Sequence, residues 1–149
     1  MATSLENTDS REGLDLAIGF ALALMTAALG GFLCAKAIDR FGEIGAISIW
    51  ALGWVVGTAA KQVMSRPRKF VGYALAVAVI IAFLVAEVAW IRWNIKDVEG
   101  WGQAIGLLPM FFQQFQWSAL LGAIFAFFGA STAYSKAGVR YRVVHVVEE

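Results

Sequence analysis

Within this 149-residue chain, Glu87 is the one ionisable side chain set well inside an apolar run. A carboxylate in lipid surroundings costs about 2.5–3.5 kcal/mol on insertion scales, which makes it a candidate proton or ion site. Arg92 follows five positions later, only about 7.5 Å along a helix. Snorkelling or pairing near a membrane boundary therefore competes with that chemistry. The other reactive groups are isolated: Cys34 is the single cysteine and His145 the single histidine. Thr26, Ser48, Thr58, Ser118, Ser131 and Thr132 are hydroxyls within apolar runs, where they ordinarily bond their own helix carbonyls. No Ser-His-Asp set, His-x-x-x-His pair or paired carboxylates can be assembled from them. The expectation is a protein without enzymatic activity, with no catalytic or metal-ligating residues and no cofactor.

The elements that hold Glu87 are legible from hydropathy. Sixty per cent of the residues are hydrophobic and 15% charged, against about 45–50% and 25% in soluble domains. A soluble chain of this length needs more polar residues to coat its surface. The fold class expected is all-α: an integral membrane four-helix bundle with an interfacial or re-entrant amphipathic segment. The net charge of +1, with no basic face carrying interleaved aromatics, gives no sign of nucleic-acid binding.

Uncharged runs place the spans at about 16–35, 44–60, 70–91 and 117–135, each near the length that crosses a hydrocarbon core of about 30 Å. Residues 1–15 form an acidic N-terminal tail, 16–135 the transmembrane domain, and 136–149 a basic tail whose β-branched residues favour an extended strand. An acidic start argues against a secretory signal. Residues 36–43 are expected to form a short polar loop. Residues 100–135 carry no charge, too long a stretch for one crossing. Pro109 is expected to bend or break it. Its first part, 100–115, carries Trp101, Ile105, Leu108, Phe112 and Phe115 as an apolar stripe, with Gln103, Gln113 and Gln114 off it.

Lys and Arg set the orientation. The two tails and the second loop hold eight of them, and the first and third loops hold four. The positive-inside bias puts both termini in the cytoplasm. Trp90, Trp93, Trp101 and Trp117 then fall at the outer boundary, with Phe112 and Phe115 as further interfacial groups. Trp50 and Trp54 fall towards mid-span and do not fit that scheme. Lys61, Arg66, Arg68 and Lys69 crowd the second loop, where they fix topology and can hold anionic headgroups.

Small residues recur at every fourth position: Gly19, Ala23, Ala27 and Gly31; Gly53 and Gly57; Ala78 and Ala82; Gly122 and Ala126. Helices in lipid attract one another by close backbone approach, so these ribbons are read as packing faces, within the bundle first and between copies second.

From Glu43-Ile44-Gly45-Ala46-Ile47, Gly53-x-x-Val56-Gly57 and Gly72, the region 30–91 resembles a family of small bacterial multi-pass membrane proteins. In these a Glu-Ile-Gly start leads a glycine-spaced span of a transmembrane hairpin. The resemblance implies a bacterial membrane protein and brings no activity with it. The chain departs from that pattern in its longer basic turn and in the Phe/Gln-rich segment that follows.

The functional expectation is a small inner-membrane protein serving as a structural or accessory subunit. The alternative is an oligomeric transporter or channel subunit with Glu87 or the glutamines along its pathway. Expected partners are membrane lipids and either a second copy or another membrane protein.

Overall fold

The computed structural model describes residues 2–64 and 68–138, with side chains from 13 onward. Arg66, His145 and the β-prone stretch of the C-terminal tail lie outside the described residues. Everything described is helix, turn or short connection, with no strand. Six α-helices are present: α1 (Ala2–Met25), α2 (Gly31–Phe41), α3 (Ile47–Val63), α4 (Lys69–Asn94), α5 (Trp101–Gln114) and α6 (Gln116–Gly138). A π-helical turn, Thr26–Gly30, joins α1 to α2, and a 3-10 turn, Gly42–Ala46, joins α2 to α3.

Three stretches of helix are long and apolar enough to cross a membrane: Gly13–Val63, Lys69–Asn94 and Gln116–Gly138. The first is 51 residues, which as a straight rod would reach about 77 Å. It does not run straight. Gly42 takes φ 61°, a left-handed conformation that only glycine enters without strain, and the chain folds back there. A Cβ on Gly30 would then meet the Leu52 side chain at 2.7 Å, so α1–α2 and α3 lie side by side and antiparallel.

Contacts fix the direction of every pass. Gly19 meets Val71 and Gly31 meets Val85, so α1–α2 and α4 run the same way. Gly53 meets Gly129 and Gly57 meets Ala133, so α3 and α6 run together. Gly122 meets Phe83 while Gly72 meets Gly138, so α4 and α6 are antiparallel. One end of the bundle gathers Asp15, Arg68 and Ala137. The other gathers the Gly42 turn, Asn94 and Ser118. The core is built of small and branched side chains, among them Ile49, Leu75, Val79, Ala86 and Ala133.

Several local expectations are corrected. The polar loop expected at 36–43 is largely helix, because nothing in Lys36–Phe41 breaks α2 before Gly42 does. The N-terminal tail is helical from Ala2 and continuous with the first pass. Residues 136–138, assigned to the second tail, complete α6. Pro109 neither ends nor breaks α5, which runs on to Gln114; the Ile105 carbonyl that loses its partner lies on the exposed face. The interruption falls instead at Phe115 (φ −113°, ψ 48°).

The face that α5 turns to the bundle is offset by about one position from its apolar stripe. Ala104 and Phe111 are the buried residues, with Leu107 and Leu108 beside them, against Ile91 and Val98. Trp101 and Ile105 are exposed. Small Ala104 allows helices to approach, while bulky apolar groups serve equally well facing lipid tails.

Glycine seams make a stability prediction. A Cβ on Gly53 would strike the backbone carbonyl of Gly129, whereas one on Gly102 meets nothing within 4 Å. Gly53→Ala should therefore lower stability in detergent by about 1–3 kcal/mol. Gly102→Ala should leave it unchanged or raise it by up to about 1 kcal/mol. Thermal unfolding of the two variants side by side checks the contrast.

Candidate functional site

Two places in the bundle carry buried charge, one at each end. At the end near the basic turn, Asp15 is 3% exposed, and its Oδ2 lies 3.8 Å from Arg68 Nε. The Arg68 amide also donates to the Ala137 carbonyl, 3.1 Å away. Arg68 thus ties α1, the start of α4 and the end of α6 together. Arg68, expected to fix topology and hold anionic headgroups, has this structural contact as well. Lys61 and Lys69 remain exposed.

At the opposite end a cavity of about 200 Å³ opens between the Gly42 turn, α4 and the α5–α6 junction. Glu43, Glu87 and Ser118 supply its polar groups, and Trp90, Phe111 and Phe115 form aromatic walls. Glu87 follows Phe83 by one helical turn, so both face α6. Gly122 leaves the room: a Cβ there would lie 2.6 Å from the Phe83 ring and 3.4 Å from Glu87 Oε1. Glu87 is 6% exposed, and among the described residues it has no hydrogen-bond or ion-pair partner. It stays inside the bundle and does not extend to its surface. An ionised carboxylate so placed carries a desolvation penalty of several kcal/mol. Ser118 Oγ donates to Glu43 Oε1 at 3.0 Å, fastening the start of α6 to the hairpin turn.

The aromatic walls brace one another. Trp90 meets Phe111 at 5.4 Å and Phe115 at 6.3 Å between centroids, and Phe111 meets Phe115 at 5.0 Å. Phe112 lies 6.2 Å from Phe83. Trp90 and Phe112, expected at the lipid boundary, are therefore half-buried between helices, because Trp90 shares the inward face of α4 with Glu87. Trp93, Trp101 and Trp117 stay exposed, Trp117 at 77%. Lys36 Nζ sits 4.2 Å from the Trp93 ring centroid, and Phe32 packs against both Trp93 and Trp101. Trp54 gains a partner in Lys136, whose ammonium lies 5.1 Å from its ring.

The small residues divide between two environments. Gly19, Gly31, Gly53, Gly57, Ala78, Ala82, Gly122 and Ala126 are buried. Ala23 and Ala27 are half-buried and line an apolar groove between α1 and α4 with Phe20, Phe70 and Val77. Three further small residues belong to the seams: Gly129 and Ala133, themselves four positions apart, and Gly138. Gly129 sits three residues after Ala126, and three-residue steps share a helix face as well as four-residue steps do.

Thr26, Thr58 and Thr132 each donate to the carbonyl four residues earlier, at 2.7 Å. Ser118 is the hydroxyl that instead bonds across to a distant carboxylate. Among the described residues no group of three or more His, Cys, Asp and Glu could hold a metal ion.

Comparison with known proteins yields no matching family model, no matching curated protein and no matching solved structure.

Arg68 and Lys69 are neighbours with opposite expected effects. Arg68→Gln leaves the buried Asp15 carboxylate without its cation and should cost about 1–3 kcal/mol, discounted for the partial exposure of Arg68. Lys69→Gln should stay within about 0.5 kcal/mol of the parent. Denaturation in mixed micelles reads both.

Proposed function

We propose that this chain is a small multi-pass protein of a bacterial inner membrane, crossing it four times with both termini in the cytoplasm. It acts as a non-enzymatic structural or accessory subunit. The four-pass reading draws on the alternating helix directions and on α3 being 17 residues of apolar helix in its own right. The orientation draws on the excess of Lys and Arg at the Asp15–Arg68 end. On this reading α5, at 14 residues about 21 Å long, is an interfacial helix at the outer boundary, with Trp101, Ile105 and Met110 turned to lipid.

The observation that carries the accessory role is the closed core. Among the described residues the buried polar and charged side chains are Asp15, Thr26 and Glu87. They do not line up through the depth of the bundle, and glycine contacts between α3, α4 and α6 close the space between them. A single copy has no polar path for a solute. The alternative, an oligomeric transporter or channel subunit, takes its support from Glu87, an intramembrane carboxylate facing a cavity.

Size-exclusion with light scattering separates the two, combined with flux measurements after reconstitution. The accessory reading expects one chain per detergent particle and vesicles no leakier to small cations than protein-free ones. A symmetric oligomer with saturable flux abolished by Glu87→Gln would replace it with the transport reading.

A further inference from the structure

We propose that the cavity at Glu87 binds an organic cation of the alkylammonium class, as a lipid headgroup or as a free amine. The inference goes beyond the accessory role and does not depend on it. It needs only the α2–α3 turn, α4, α5 and α6 to meet as described.

Three observations converge on this ligand. First, Glu87 is buried, faces the cavity and has no partner among the described residues; a bound cation supplies the missing counter-charge. Among the described residues no Lys, Arg or His lines the cavity to compete for it. Second, Glu43 adds a second carboxylate to the lining. One of its oxygens already accepts from Ser118, which holds the side chain in place and leaves the other oxygen available. Third, Trp90, Phe111 and Phe115 close the remaining sides. Aromatic faces beside carboxylates are the surroundings that attract a weakly hydrated organic cation, through the ring quadrupole.

Volume and ligand count favour the same class. About 200 Å³ exceeds the roughly 150 Å³ that accommodates a benzene-sized guest. A divalent metal ion takes about six oxygen ligands, whereas here two carboxylates and one committed hydroxyl are offered. Sodium or another small hydrated ion gains nothing from three aromatic walls. The cavity also lies at the end of the bundle where α5 begins and ends, level with the exposed Trp93 and Trp117, so a headgroup ammonium reaches it as readily as a soluble one.

The test uses the full chain in nanodiscs of phosphatidylglycerol alone. Tetramethylammonium chloride and ethanolamine hydrochloride are titrated calorimetrically at an ionic strength held constant with sodium chloride. The expected result is saturable, one-to-one binding of at least one probe. Glu87→Gln should weaken it tenfold or more, and Glu43→Gln at least threefold. Adding phosphatidylethanolamine to the discs identifies the source. A rise in the apparent Kd of the free probe means the headgroup occupies the cavity, and an unchanged Kd means a soluble amine does. Absence of saturable binding by either probe overturns the proposal. So does undiminished binding by a folded Glu87→Gln protein, which would mean that the carboxyl simply holds a proton. Should Glu87→Gln fail to fold, the exposed Glu43→Gln variant decides: undiminished binding there also overturns it.

Discussion

Helices in a bilayer cannot be held together by fleeing water, since lipid tails are as apolar as leucine. What remains is contact, and contact improves steeply as backbones come closer. The seam of α3 against α6 carries this constraint furthest. Gly53 rests on the backbone of Gly129, Gly57 on Ala133, and Gly129 in turn on the Ile49 carbonyl. With α4 laid across both through Val79 and Phe83, the three helices form a closed wedge. α1 and α2 then pack onto α4 through Gly19 and Gly31. A side chain added at Gly53, Gly57 or Gly129 would meet backbone first, so the α3–α6 seam sets the positions of what is built on it.

The cavity at Glu87 is one such consequence. It exists because Gly122 lacks a side chain where α6 passes Phe83 and Glu87, and because Ser118 anchors the start of α6 to Glu43 on the hairpin turn. The kink at Phe115 swings α5 back over α4 and brings Phe111 and Phe115 to Trp90. The Glu87 carboxyl is thereby enclosed by the hairpin turn, α4, α5 and the start of α6. At the other end the same bundle holds a carboxylate differently, with Arg68 set against Asp15. One buried acid is answered within the fold, and the other faces open space.

Much of this architecture is readable in the chain. The apolar runs give the helices and their approximate extents, because hydrocarbon thickness sets a minimum length that composition makes visible. Glycine and alanine spacing gives many of the contact positions. Helix ends were less legible: Lys36–Phe41 is polar yet helical, since polarity marks where a helix leaves lipid and not where it stops. Pro109 is a residue that bends or breaks helices, yet α5 runs on past it to Gln114, with Pro109 on an exposed face. The apolar stripe of α5 does not tell which residues meet the bundle: Ala104 is buried and Trp101 exposed. For Glu87, distance to Arg92 along the helix suggested an escape to the boundary. The direction in which the side chain points depends on α6, and Gly122 is 35 positions away in the sequence. Glu43 and Ser118 carried no signal of their own, because the bond between them joins residues 75 apart.

The account stands on the proposal that the chain crosses a membrane four times in alternating directions, with Glu43, Glu87 and Ser118 at one end and Asp15, Arg68 and Ala137 at the other. Single cysteines placed at Ile44, Lys96, Lys69 and Lys136 in a Cys34→Ala background address this with a membrane-impermeant thiol reagent on intact spheroplasts. The account predicts labelling at 44 and 96 in sealed cells, and at 69 and 136 only after lysis. Labelling of positions 44 and 69 from the same side would contradict it.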